Sequence, residues 1–467
     1  MKRNIIIVIA LLFIFSSCGK DLLDKEPYIS VPVATSITTV DEMSSAVNGV
    51  YGSMRLASIN GRSIPVMGDL MADNIYISSQ NSGRYLSQNN YSYTSLSAEP
   101  LGIWRDLYAV IKNANNVINA EVPASPLTDA TRDQLRGEAL TLRAWSYFEL
   151  VRHFGKPYTV DANAPGVPIV LKFDQNSKPS RNTVGEVYTQ IVTDLTQAYT
   201  LMTVTNKTSA YINKWVAKGL LAKAYLYMGD WTKARDAALD VVTNSGYTIV
   251  TAANYVSYWK NAAPTGTKVE TMFELSLDAA TNNGTNALAY MYDPAGYGDM
   301  LATNDLYNLY TATDVRRSFI NPGTRGGSTV LIVSKYQNGS NTDKDDIKMM
   351  RISEIVLILA EAYARLGDEA NARTQLNNVA TKRDPSFTGY TSTGAQLIED
   401  IIKERRKELA FEGDRYHDLQ RLNRVINRTP QHPASAQTIA TDNFRRLEPI
   451  PLAETDANPN IAQNPGY

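Results

Sequence analysis

Apolar residues recur at helical spacing along much of the chain. In WRDLYAVIKNANNVI, Trp104, Leu107, Tyr108, Ile111 and Ile118 fall close to a 3.6-residue period and predict one amphipathic helix. Leu140 to Phe154 predicts a second, more uniformly apolar helix, with Gly155 beyond its end. Leu397 to Leu422 reads as a long charged helix. Two stretches break the pattern. Ile75 to Pro100 is rich in Ser, Asn and Tyr, and Tyr247 to Lys348 carries Gly and Asn clusters around short apolar pieces such as Met272–Leu277 and Thr329–Val333. Both are expected to be irregular excursions carried on a helical frame, and long loops of that kind usually carry function.

One set of small, aromatic and turn residues occurs twice. Ala222-x-x-Tyr225-x-x-x-Gly229-Asp230-x-x-x-Ala234 returns as Ala360-x-x-Tyr363-x-x-x-Gly367-Asp368-x-x-x-Ala372 with every interval conserved. This is the tetratricopeptide helix–turn–helix signature. Alanine lets two helices approach closely, glycine ends the first helix, and the aspartate lies where it can accept from free N–H groups of the second. Ala144-x-x-Tyr147 is a weaker copy. The two clear copies begin 138 positions apart, so other segments are threaded between them. The expected fold is mainly α: a tetratricopeptide-like helical scaffold with an interleaved loop-rich region and few short strands. Repeats are expected around 104–155, 185–245 and 351–425, excursions around 75–100 and 247–348, and a C-terminal motif at 447–467.

The N-terminus changes the picture. Lys2 and Arg3 precede an apolar run from Ile5 to Phe15, followed by Ser16, Ser17 and Cys18, the sole cysteine of 467 residues. The run is far shorter than the roughly 20 residues a spanning helix needs, and its order is that of a secretory signal. We expect residues 1–17 to be a lipoprotein signal peptide, Cys18 to be lipidated, residues 18–30 to form a tether and 31–467 the body. With 46 basic and 47 acidic residues, the chain lacks the cationic excess that nucleic-acid binding needs. Its three histidines, His153, His417 and His432, show no metal-ligand spacing, so neither metal nor cofactor is expected.

Several residues invite a chemical reading. Glu404, Arg405, Arg406, Glu408, Glu412, Asp414, Arg415 and Asp418 could supply a glycosidase carboxylate pair, but opposite charges at spacings of three and four predict an ion-pair lattice instead. No catalytic residue is assigned. Trp104, Trp145, Trp215 and Trp231 sit at core-like positions, and Trp259 is open to either reading. Tyrosines of the excursions are the better ligand candidates, because a ring can stack on a sugar while its hydroxyl bonds to it. They are Tyr76, Tyr85, Tyr91 and Tyr93 in the first excursion and Tyr290, Tyr292 and Tyr297 in the second, with Asp69, Asp73 and Asn74 as polar neighbours.

Segments spread over the chain carry a family resemblance. DLLDKEP after Cys18, GDLMADN at 68–74, IWRDLYAVIKNANNVI, RAWSYFELVRHFGKPY from Arg143, RISEIVLILAEAYARLGD from Arg351, IIKERRKELAFEGDRYHDLQRLN from Ile401 and LEPIPLAETDANPNIAQNPGY from Leu447 resemble, in order, motifs of the SusD/RagB family. The resemblance implies a surface-exposed outer-membrane lipoprotein that binds nutrient, usually oligosaccharide, and caps a SusC-like TonB-dependent barrel. A peptide-binding protein of the RagB kind is the alternative within the family. A surface glycosidase and a purely structural scaffold are the alternatives outside it.

Overall fold

The computed structural model describes residues 37–174, 176–203, 208–260, 268–336, 338–339 and 345–467. The signal segment, Cys18 and the tether lie outside them. In chain order the helices are α1 (Val40–Met54), α2 (Ser63–Leu70), α3 (Leu86–Asn89), α4 (Ala98–Ile118), α5 (Asp129–Phe154), α6 (Val184–Leu201), α7 (Lys214–Met228) and α8 (Trp231–Asn244). They continue as α9 (Ala252–Lys260), α10 (Leu288–Tyr292), α11 (Asn304–Asn308), α12 (Ile352–Arg365), α13 (Glu369–Arg383), α14 (Gly394–Glu408), α15 (Arg415–Arg421) and α16 (Leu452–Ala457). The strands are short: β1 (Ile75–Ile77), β2 (Thr271–Leu275), β3 (Met300–Ala302), β4 (Ile320–Arg325), β5 (Ser328–Val333), β6 (Ile347–Arg351), β7 (Ile426–Asn427) and β8 (Thr438–Ile439). The mainly helical fold with few short strands is thus present.

Local chemistry sets the helix limits. Thr39 and Thr183 each form a capping box with the glutamate three residues on, Glu42 and Glu186. In both clear repeats the helix ends on a left-handed glycine, Gly229 at φ 73° and Gly367 at φ 83°, where any other residue would be strained. The next residue caps the following helix: Asp230 accepts from Lys233 N–H at 3.1 Å and Asp368 from Asn371 N–H at 3.2 Å. Ala222 and Ala360 are fully buried, as close helix approach demands.

The frame is a continuous run of neighbouring helices. Helix α4 packs on α5, α5 on α6, α6 on α7 and α7 on α8. Then α8 packs on α12, which carries α13 and α14. The two clear repeats are therefore neighbours in space, and the chain from 245 to 351 leaves the frame between them and returns to it.

The excursions are joined to each other. Strand β1 from the first pairs antiparallel with β3 from the second, Ile75 opposite Ala302 and Ile77 opposite Met300, in a four-stranded sheet of order β1-β3-β5-β4. Strands β2 and β6 form a separate buried pair. One expectation fails: the charged segment 397–422 is not a single helix. Helix α14 stops at Glu408, the chain turns through Phe411 (φ 72°) and Gly413 (φ 90°), and α15 starts at Arg415. The turn exists because it abuts α2, with Gly413 and Gly68 in backbone contact.

Candidate functional site

The carboxylates that suggested catalysis are bound within an interior ion lattice. Glu408 accepts from Arg351 at 2.7 Å, Arg383 at 2.8 Å and Arg316 at 3.0 Å. Glu404 pairs with Arg316 at 2.7 Å, and Glu412 with Arg351 at 2.6 Å and Lys335 at 2.7 Å. Asp418 lies between Arg405 at 3.1 Å and Arg421 at 2.7 Å. Burial acts to raise Glu404, Glu408 and Glu412, but the surrounding cations override it and hold all three below the usual carboxylate range. A buried carboxylate so held neither donates a proton near neutrality nor meets a sugar. The segment works as a clamp between helices.

The polar residues near the first excursion belong to the same clamp, which corrects their reading as ligand contacts. Asp73 is gripped by Arg415 through two 2.8 Å bonds, with Arg406 at 3.4 Å. Burial opposes ionisation of Asp73, but these two arginines hold it at about 2. Asn74 donates to Asp69 at 2.6 Å and accepts from Arg406 at 2.9 Å. Asp69 also accepts from Gly413 N–H at 2.9 Å, yet burial still pushes it up to about 7. GDLMADN is thus the socket for the turn after α14.

Four of the candidate tyrosines are core residues, because their hydroxyls or rings find partners from distant parts of the chain. Tyr85, 2% exposed, accepts from Arg62 at 2.7 Å and bonds Ser63. Tyr91 donates to the Met71 carbonyl and Tyr93 to the Arg445 carbonyl. Tyr292, 0% exposed, stacks on Tyr336 at 5.8 Å and meets the edge of Phe411. A ring with no exposed face cannot cover a pyranose, so the ligand reading fails for these four. Tyr85 and Tyr91 instead pin their loop, each in a left-handed backbone conformation, φ 58° and 51°, that a buried ring must hold in place. Trp259 is buried too, ringed by Tyr255, Tyr258, Phe319 and Tyr336, with Lys335 4.2 Å above its ring. Trp104, Trp145 and Trp215 are buried as expected, and Trp231 is half-buried.

A surface remains where the two excursions meet. Tyr290 and Tyr297 are half-buried and pack edge to face at 5.7 Å. Arg84 of the first excursion lies 3.9 Å over the Tyr297 ring and donates to its hydroxyl at 3.0 Å. Arg325, the last residue of β4, donates to the Tyr297 carbonyl. The first loop is moored by Ser82, bonded through N–H and hydroxyl to Asp299, and by Gln80, which accepts from Gly326 N–H at 3.2 Å. The exposed side chains of Ser79, Gln80 and Asn81 flank this aromatic–guanidinium cluster. Tyr76 is half-buried behind it against His432. Arg84 and Arg325 escaped sequence reasoning, which weighed arginines only in the 404–418 segment and, in the excursions, only tyrosines and Trp259, with Asp69, Asp73 and Asn74 beside them.

Spacing also concealed a second cluster. Glu149 and His153 on α5 and His417 on α15 offer ligand-type atoms within 4.8 Å of one another, all buried, although the histidines stand 264 positions apart. Among the described residues no helix is long and apolar enough to cross a membrane.

Comparison with known proteins agrees with this architecture. A family profile described as starch-binding associating with outer membrane matches residues 21–226, and the SusD family profile matches 298–467. A crystal structure from Bacteroides vulgatus ATCC 8482, described in terms of sugar binding, superposes with a TM-score of 0.85 at 30% identity, covering 93% of this chain and 100% of its own. A SusD superfamily structure from Bacteroides thetaiotaomicron VPI-5482 gives 0.84 at 29% identity, covering 92% and 100%. SusD-like protein P2 of Formosa agariphila is 26% identical over 100% of both chains. Motifs, fold and full-length relatives coincide: the chain belongs to the SusD/RagB family.

Proposed function

We propose that this protein captures oligosaccharide at the face of the outer membrane, held there by lipid on Cys18, and passes it to a SusC-like TonB-dependent barrel. The observation that carries the reading is the meeting of the two excursions. Pairing of β1 with β3 brings a loop from each side into one surface on which Tyr290, Tyr297 and Arg84 stand accessible. Ring faces suit the C–H faces of sugars, and the guanidinium and amide groups around them suit hydroxyls. The family descriptions of starch-binding and sugar-binding relatives support the ligand class. The locked carboxylates favour binding over hydrolysis.

The test is a glycan and peptide array probed with the body lacking the first 18 residues, followed by calorimetry on the best ligand. Tyr290→Ala and Tyr297→Ala should each weaken affinity by about 1–3 kcal/mol where the ring forms a hot spot, and Arg84→Ala should weaken it by tilting Tyr297. Tyr292→Phe, in the core, should leave it unchanged. Retention of peptides alone, or unchanged affinity in all three surface variants, refutes the reading. For the anchor, Cys18→Ala should abolish palmitate labelling and detergent partitioning of the full chain; persistent labelling overturns it.

A further inference from the structure

The interior cluster on α5 and α15 has the composition and surroundings of a metal site, and we infer that Glu149, His153 and His417 bind a divalent first-row metal of the Zn²⁺ type. Glu149 and His153 stand one turn apart on one face of α5, and α15 brings His417 across to them. The ring of His417 lies 4.9 Å from that of His153, nearly perpendicular to it.

His417 carries the argument. It is 1% exposed, and neither ring nitrogen has a hydrogen-bond partner among the described residues. A buried imidazole left so is costly and calls for an explanation.

His153 adds a second, independent feature. Its Nδ1 lies 2.7 Å from Glu448, and since a carboxylate only accepts, that nitrogen carries the proton. The lone pair is thereby left on Nε2, which has no hydrogen-bond partner and sits 4.0 Å from Glu149. A carboxylate fixing the far nitrogen of a ligand histidine is the usual support around a bound metal. Glu448 has no other cationic partner among the described residues, so a charge relayed through His153 would also answer its burial.

Two imidazoles and one carboxylate select zinc, cobalt or nickel over calcium and magnesium. Tetrahedral coordination sets donors roughly 3.4 Å apart, so the three side chains must draw inward by about 1 Å. Glu149 can give up one of its bonds to Arg152, which keeps Asp414 and Tyr227. The metal would act as a clasp between α5, α15 and the C-terminal segment.

The rival arrangement is a lone water between the rings with His153 protonated between Glu149 and Glu448. The full chain is produced in zinc-supplemented and zinc-depleted medium, passed briefly through EDTA, and measured by elemental mass spectrometry and thermal melting. The expected result is about one Zn²⁺ per chain that survives the chelator, with a higher melting temperature than the depleted protein. His417→Gln and Glu149→Gln should lose the metal and the difference in melting. Cobalt-grown protein should show the visible absorption of tetrahedral Co²⁺, a readout on the unaltered chain that does not depend on a variant folding. Absence of retained metal in the unaltered chain, or equal retention in folded His417→Gln, overturns the site.

Discussion

Replacing Gly68 with alanine would put a Cβ 1.8 Å from the Gly413 carbonyl oxygen and 2.5 Å from its carbonyl carbon. Both groups are backbone, so no rotamer change relieves the clash. Opening the contact to 3.0 Å forces α2 and the turn at 409–414 apart. The same movement stretches the 2.9 Å bond from Gly413 N–H to Asp69, taking it to about 4 Å, beyond hydrogen-bond reach. Overpacking of this kind costs about 1–3 kcal/mol, and the bond to Asp69, held at about 7 and so only partly ionised near neutrality, contributes about 1–2 kcal/mol, between the values for neutral and charged partners. The sum, about 2–5 kcal/mol, is a large fraction of the roughly 5–15 kcal/mol that holds a typical fold. Guanidinium unfolding followed by circular dichroism reads it as a lower midpoint at unchanged slope. Gly49→Ala, on the exposed side of α1 with nothing within 4 Å, is the control and should stabilise by about 0.5–1 kcal/mol. Wild-type stability in Gly68→Ala would mean that α2 does not seat against the turn, and the socket described for GDLMADN would be wrong.

Other expectations follow from the same contacts. Glu412→Gln removes the charge opposite Arg351 and Lys335 and should cost about 3 kcal/mol, the low end for a broken buried pair, with ligand affinity intact; lost affinity at normal stability would return the segment to the binding site. Ala222→Trp and Ala360→Trp enlarge fully buried positions and should each cost more than about 1–3 kcal/mol, visible as lower melting temperatures. Stability should fall in acid. Asp73 is held at about 2, below its unfolded value, so its contribution is complete above about pH 4 and disappears as pH falls toward 2; Asp73→Asn should flatten that limb. His432, lowered to about 4 by burial and Arg428, adds a loss between roughly pH 6.5 and 4. Asp69, raised to about 7, acts oppositely and favours the fold less as pH rises from about 4 to 7. Asp69 and His432 oppose each other between about pH 4 and 6.5, so the net acid limb is that of Asp73, and a midpoint unchanged between about pH 4 and 2, or a limb unaltered in Asp73→Asn, would contradict the Asp73 assignment.

Sequence reasoning read well what neighbours in sequence decide. The alanine, glycine and aspartate of each repeat do their work within one helix–turn–helix, so their spacing alone disclosed them. The ion lattice was legible for the same reason, since Asp418 and Arg421, or Glu404 and Lys407, lie three residues apart. What failed depends on partners far away in the chain. Tyr93 is buried by a carbonyl 352 residues on, and Asp73 by Arg415, 342 residues on. A tyrosine in a polar stretch looks exposed until such a partner arrives. The break at Phe411 was hidden because α14 and α15 are both charged and helical; Gly413, with its left-handed φ, was the available signal. Arg84 passed unnoticed because its role comes only from the β1–β3 pairing that sets it over Tyr297.

The departure of the chain from the frame between α8 and α12 bears on how such a surface can diversify. Its two exits are held close by helix packing that does not involve the excursion's own outer loops. Lengthening an already closed loop adds little entropy cost, about 0.6 kcal/mol for each doubling. New turns or aromatic groups can therefore be inserted at the exposed turns at 279–286 and 294–296 while the seam between the two repeats stays as it is. Arg316 and Tyr292, tied to Glu404, Glu408 and Tyr336 in the interior, mark what must be kept, so chimaeras that exchange those turns alone should fold on the unchanged helical frame.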